Sequence, residues 1–233
     1  LSHSIFIEND TRQYMNKKDT PGECCTKDNH LSTHWDKAYT DKETEKLGWY
    51  EKEATPTIEL IEETGLAKDA RILNVGVGTT TLIDDLISKG YSNLIATDLS
   101  AKALDILKER CGKESVSYLQ DDLTNSTVLN TIPQVDLWND RAVLHFFLEE
   151  KDKQSYFDLL KKVVKVNGYV IIATFNLEGA LKCCGLDLCR YDKDMISERL
   201  GDDFELIKNF DHTFINPGGA SRAYVYTLFK RIK

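Results

Sequence analysis

The sequence predicts an α/β fold in which a mostly parallel sheet is covered by helices on both faces. Three observations predict it. From Arg71 onward, runs of β-branched and aliphatic residues alternate with helix-period segments. The first such run breaks into a glycine turn, "ILNVGVGTTT" from Ile72 to Thr81, that leads into a helix. After residue 190 the order changes to one helix and two strands joined by a loop containing "NPGG", where proline and glycines favour a reversal. With 233 residues, 41% of them hydrophobic, the chain is long enough for one large core plus an N-terminal extension.

Residues 1–33 are expected to form a polar extension, irregular or partly helical, because "KKDTPGECCTKDN" is rich in turn formers. The domain proper is expected over 34–233. It starts with two short amphipathic pieces whose large apolar residues are Trp35, Tyr39, Leu47, Trp49 and Tyr50. Thr55-Pro56 opens a helix with Ile58, Ile61 and Leu66 on its apolar face, since a first helical turn tolerates proline. Strands follow at 71–75, 93–97, 115–119, 133–138 and 168–174, with helices at 80–89, 101–110, 141–148 and 152–166 between most of them. Strand, helix, strand, repeated, requires crossovers and argues for parallel pairing. A helix over 191–200 precedes "FELIKNF" and "RAYVYTLF", the last strand returning antiparallel to its neighbour.

The formal charge is -8, from 38 acidic and 30 basic residues, which makes nucleic acid a poor partner. No window approaches the roughly 18 to 20 apolar residues of a membrane span, so a soluble, cytoplasmic protein is expected. The chain opens on Leu1 rather than Met, as a trimmed or partial chain would. Six cysteines occur without a C-x-x-C pair, and free thiols in a reducing compartment are the expectation. Cys24, Cys25, His30 and His34 invite a zinc or soft-metalloid reading, but their spacing matches no finger pattern. No metal is expected.

In a doubly wound sheet, ligands sit beyond the carboxyl ends of the strands where the topology switches. Gly76 and Gly78 lie at that place and let the backbone pass close to a ligand. A dinucleotide fingerprint would require a third glycine, which Thr79-Thr80-Thr81 lacks. Asp98 closes the second strand 20 residues after Gly78, where a carboxylate can accept both ribose hydroxyls. Asp121 and Asp122 follow the third strand, in position for an adenine amino group. The plainer reading of each is a solvated loop acid, or for Asp98 a helix cap. Together they point to a nucleoside pocket.

From about residue 34 to the end, the chain resembles a class I S-adenosylmethionine-dependent methyltransferase. "ILNVGVGTT" resembles the first motif of that class, Asp98 its strand-end acid, Asp122 its "GDV"-type acid, and "VDLWNDRAVLHF" the motif after the fourth strand. "HWDKAY", "WYE", "DRAVLHF", "IATF" and the "KCCG" loop resemble a subgroup of small methyltransferases. The resemblance implies a Rossmann-like, seven-stranded doubly wound sheet of order 3-2-1-4-5-7-6, with strand 7 antiparallel and an N-terminal helical lid. It implies S-adenosyl-L-methionine as cofactor, leaving as S-adenosyl-L-homocysteine. Asn74, Gly76, Gly78, Thr79, Asp98, Leu99, Asp122, Leu123, Asn139 and Trp49 are the residues it assigns to the cofactor. The sequence departs from the pattern twice: Asn74 stands for the usual aspartate and Thr80 for the third glycine.

The implied reaction is in-line displacement at an activated methyl group, so positioning matters most, and a base is needed only if the acceptor must lose a proton. Asp140, to orient an amine acceptor or the cofactor, and His145, to take a proton, are the catalytic candidates. Arg141, Phe175 and Tyr50 are the substrate candidates. Plainer roles stand beside these: a packed histidine, an ion-paired Arg141, and Trp49 and Tyr50 as anchors of the extension. A small-molecule acceptor is expected, because no separate domain grips a macromolecule. The alternatives are a protein lysine, where the relevant "D-K-G-T" pattern only partly resembles "DRAV", and a cofactor-binding protein without catalysis.

Overall fold

The computed structural model describes residues 27–233. Helix α1 (Lys27–Asp41) leads through a 3-10 turn at Thr44–Lys46 to α2 (Thr55–Glu63), which has Pro56 in its first turn as expected. The alternating unit follows: β1 (Ile72–Val75), α3 (Leu82–Ser88), β2 (Leu94–Asp98), α4 (Ala101–Cys111), β3 (Val116–Gln120), β4 (Val135–Arg141), α5 (Glu150–Val163) and β5 (Val164–Phe175). A small hairpin, β6 (Lys182–Cys183) and β7 (Leu186–Asp187), precedes α6 (Lys193–Leu200), β8 (Phe204–Ile215) and β9 (Ser221–Arg231).

Seven strands form one sheet of order β3-β2-β1-β4-β5-β9-β8. β1 through β5 pair in parallel, and β9 runs antiparallel to both β5 and β8. Numbered within the sheet, this is 3-2-1-4-5-7-6, a Rossmann-like doubly wound fold. Because strand side chains alternate faces, Ile72, Ile171 and Ala173 enter one buried cluster with α2, α3 and α4. Leu73, Val170 and Ile172 enter the other, with α5 and α6. Both faces are covered, which is why the central strands read as unbroken apolar runs.

Several expected boundaries move, three of them with consequences for the site. The helix expected at 141–148 is only a 3-10 turn, Leu144–Phe146, because β4 runs on to Arg141 and Ala142 then takes a φ of 75° that no helix continues. The helix expected at 152–166 ends at Val163, and β5 takes over at Val164. The expected limit between extension and domain at residue 33 falls inside α1. That helix is fastened to the domain: Asp36 Oδ1 accepts from Ser100 Oγ (2.6 Å) and Lys102 N (3.2 Å), and Ser32 Oγ donates to the Leu99 carbonyl (3.2 Å). A carboxylate beside the first amides of α4 is also favoured by the helix dipole.

Candidate active site

A cavity of about 540 Å³ opens at the carboxyl ends of β1, β2 and β4, the topological switch point. Asn74, Gly76, Thr79, Asp98, Leu99, Asp122, Leu123 and Asn139 line it, and Trp49, Tyr50, Arg141 and His145 line its other side. Gly78, Asp140 and Phe175 stand behind its wall.

The β1 side is built from backbone and short polar side chains. Gly76 and Gly78 both take left-handed conformations, φ 54° and 53°. The Gly78 amide donates to Asp98 Oδ2 and the Ser100 amide to Oδ1, each at 2.8 Å. This fixes the carboxylate at the end of β2 while each oxygen keeps a further lone pair. Burial pushes the Asp98 carboxyl up to about 6, against the opposing effect of those amides. Asp122 Oδ1 accepts from the Thr124 amide and hydroxyl, both 2.8 Å. Asp121 instead folds the loop, accepting from Ser126 Oγ and from the amides of Thr127, Val128 and Leu129.

Asn139 Nδ2 donates to Asn74 Oδ1 at 3.0 Å. Asn74 Nδ2, Asn139 Oδ1 and Thr97 Oγ1 remain buried without partners, and all three residues line the cavity. Buried polar atoms are seldom left so. A free donor and a free acceptor side by side fit the ammonium and carboxylate of a methionyl group, and Asp98 fits its ribose. The residues therefore suit S-adenosylmethionine.

The β4 side corrects two expectations. Asp140 does not face the cavity: its oxygens accept from the Val143 amide (2.9 Å), the Leu144 amide (3.1 Å) and Tyr156 Oη (2.7 Å). It is wholly buried, and burial pushes its carboxyl up to about 6. Asp140 holds the loop after β4 in shape and is not among the residues that line the cavity. His145 lines the cavity but is wedged between Phe146 and Phe175, ring centroids 4.5 and 4.8 Å away, with Nδ1 3.1 Å from Thr174 Oγ1. Burial, helped by Arg141, pushes its imidazole down to about 3. It is neutral at working pH and a weak base. Phe175 supports this ring and stacks on Tyr224 at 4.6 Å rather than lining the cavity.

Arg141 is ion-paired. Its Nη2 is 2.6 Å from Glu51 Oε1 and its Nη1 donates to the Trp49 carbonyl at 3.0 Å. The guanidinium also lies over the rings of Phe214 and Tyr224, 5.0 and 5.1 Å away. Arg141 thus straps the segment at 49–51 to the end of β4. Trp35, Trp49 and Tyr50 all line the cavity, Trp35 meeting Trp49 and Phe146 edge to face at 5.7 and 5.1 Å.

Some participants went unrecognised in the sequence. Tyr39 comes from α1 to lie over the β1 turn, where a Cβ on Gly78 would come within 2.5 Å of its Oη. Val143 packs on Gly76 so closely that a Cβ there would collide with it. The two glycines are required by the protein's own side chains, a reason that only the fold brings together. Glu51 and Tyr224 are likewise invisible as partners of Arg141 in a linear reading. Among the described residues no three His, Cys, Asp or Glu side chains are grouped to hold a metal. Cys24 and Cys25 lie outside the described residues. No described helix is long and apolar enough to cross a membrane.

Comparison with known proteins adds to this geometry. The "Methyltransferase domain" family matches residues 73–172. The chain is 25% identical to human "EEF1A lysine methyltransferase 2" over 91% of its own length and 90% of that protein. To the protein of the same name from Danio rerio it is 26% identical, covering 84% of each. Among solved structures, a SAM-dependent methyltransferase from Anabaena variabilis superposes with a TM-score of 0.71 at 14% identity, over 88% of this chain and 94% of that one. The Burkholderia thailandensis 1,6-didemethyltoxoflavin-N1-methyltransferase, solved with S-adenosylhomocysteine, superposes at 0.60 with 15% identity, over 88% and 86%.

Proposed function

We propose that this chain, which is a class I S-adenosylmethionine-dependent methyltransferase, places the methyl group on the ε-amine of a protein lysine. The observation that carries the reading is the similarity along nearly the whole chain to proteins named for EEF1A lysine methylation. Resemblance confined to residues 73–172 would speak only for the cofactor half. The cavity supports it chemically: Trp35, Trp49, Tyr50 and Phe146 offer aromatic faces to a cation, and Glu149, Asp152 and Asp187 also line it. This reverses the order of the two enzyme readings drawn from the sequence, where a small molecule came first.

When bound, the cofactor supplies a methyl group already activated on a sulfonium. Asp98 and Asp122 would hold its adenosyl end, and Asn74 and Asn139 its amino-acid end. The aromatic side of the cavity would then align the amine with the methyl group, and alignment is the main contribution asked of the protein. A lysine must shed a proton before attack. Asp140 does not line the cavity and His145 is a weak base, so neither takes that proton.

The test is methyl transfer from labelled donor to EEF1A, to other lysine-bearing proteins and to small amines, with the modified residue located by mass spectrometry. Labelling of a single EEF1A lysine is the expected result. Labelling of small amines with no protein labelled would return the acceptor to the small-molecule class.

A further inference from the structure

The hairpin of β6 and β7 carries two adjacent cysteines beside the cavity, and nothing in methyl transfer calls for them. Its two-residue loop is Cys184-Gly185, with φ of 54° and 81°. Both positive values are what a tight turn matched to strand twist requires. Glycine takes such a conformation freely, whereas cysteine in it is uncommon. Along a regular strand, neighbouring side chains point to opposite faces. Here the left-handed residue brings Cys183 Sγ and Cys184 Sγ to 3.6 Å from each other. Cys183 lines the cavity together with Gly185, Leu186 and Asp187.

The two sulfurs differ in how readily they lose a proton. The Cys184 S–H beside it pushes the Cys183 thiol down to about 7, Arg222 and Arg141 adding to the effect, while Cys184 is pushed up. A thiolate is the nucleophile and the soft ligand of a cysteine. Closing a disulfide within the pair is disfavoured by geometry. Neighbouring Cα atoms across a trans peptide lie about 3.8 Å apart, and disulfides favour about 4.4–6.8 Å. A single thiophilic atom inserted between the sulfurs avoids that distortion.

We propose that Cys183 and Cys184 form a bidentate site for a trivalent arsenical, R–As=O. The Cys183 thiolate attacks arsenic and the Cys184 thiol follows. Two As–S bonds form, the As=O bond is lost, and the oxygen leaves as water with the two protons of the dithiol. Arsenic stays trivalent throughout, so no oxidant or reductant is needed. The second bond forms within the hairpin and gains the effective concentration of a linked ligand. Two thiols distant in the chain, such as Cys111 and Cys189, lack that gain.

The test uses phenylarsine oxide and the whole chain, followed by intact mass and by titration in excess glutathione. One phenylarsine per chain is expected, gained with loss of one water, persisting in glutathione and removed by 2,3-dimercaptopropanol. The double variant Cys24→Ser/Cys25→Ser should keep the adduct, and in that background Cys184→Ser and Cys183→Ser should each weaken it by about 10²-fold or more. An unchanged melting temperature in Cys184→Ser excludes misfolding as the cause. Retention of the tight adduct in Cys184→Ser on that background, or its loss in the Cys24/Cys25 variant, overturns the proposal. Adduct formation needs no methyl acceptor, so the result stands apart from the identity of that acceptor.

Discussion

The two sides of the cavity are made in different ways. On the β1–β2 side, the carboxylate of Asp98 is fixed by amides from one unit of the chain, Gly78 twenty residues before it and Ser100 two residues after it. On the β4 side, Arg141 bonds to Trp49 and Glu51, about ninety residues earlier, and lies over Phe214 and Tyr224, more than seventy residues later. Local amide geometry serves a ligand of constant shape. Long-range side-chain contacts leave the acceptor side free to differ between enzymes of one fold.

The largest effect should come from cutting the long-range side. Glu51 and Arg141 are nearly buried, with side chains 9% and 13% exposed. Removing one partner of a buried pair strands the other charge, at a cost of about 3–5 kcal/mol. Glu51→Ala is therefore expected to lose that much stability in urea unfolding, and Tyr50 and Trp49 should become accessible to fluorescence quenchers. A loss below about 1 kcal/mol, the scale of an exposed pair, would mean that the strap is solvated.

The next effect falls on the local side. Gly76→Ala puts a side chain at φ 54° and against Val143. Left-handed strain of about 1–2 kcal/mol and overpacking of about 1–3 kcal/mol should together destabilise the protein and weaken S-adenosylhomocysteine binding in calorimetry. Relieving the collision with the double variant Gly76→Ala/Val143→Ala should recover the overpacking part only. Full recovery would show that the backbone accepts alanine there.

Asp98→Ala takes the acceptor from the Gly78 and Ser100 amides, so it is expected to cost about 1–3 kcal/mol of stability and to weaken cofactor binding by about 1.5–3 kcal/mol, the range for hydrogen bonds to a charged group. Because the carboxyl is raised to about 6 in the protein, and hydroxyl donors favour its charged form, affinity should fall as pH drops below about 6. Affinity independent of pH between 5 and 8 would take Asp98 out of the ribose site.

The same contrast governs what the sequence discloses. Strand alternation, the glycine turn, Asp98 and Asp122 are legible because periodicity and local spacing carry them. The expected helix at 141–148 failed because its pattern is apolar enough for a helix, yet Ala142 takes a positive φ and its N–H donates a hydrogen bond to the Ala173 carbonyl across the sheet. Asp140 was misassigned for a related reason. Its position at a strand end is visible in sequence, but Tyr156, which claims one of its oxygens, is not. Tyr39 over Gly78 required α1 to be docked before it had any meaning.

The smallest effect is expected at His145, and it tests whether the acceptor side contains a base at all. His145→Phe keeps an aromatic ring between Phe146 and Phe175 and gives up the Thr174 contact, a loss of about 0.5–1.5 kcal/mol. Turnover per folded molecule should change by less than the roughly 10²–10⁴-fold that removal of a general base produces. Stability against pH supplies the second readout. Asp98 and Asp140 titrate near 6 in the fold against an ordinary 3.8, so the folded chain holds more protons between those values and stability falls as pH rises from about 4 to 6. His145 titrates near 3 in the fold against 6.5, so here the unfolded chain holds the extra proton and stability rises over the same interval. His145→Phe removes the opposing contribution, so its stability relative to the wild type should fall over that interval while its rate profile keeps the wild-type shape. A rate profile in the wild type that inflects near 6.5 and is lost in His145→Phe would restore the histidine as the base.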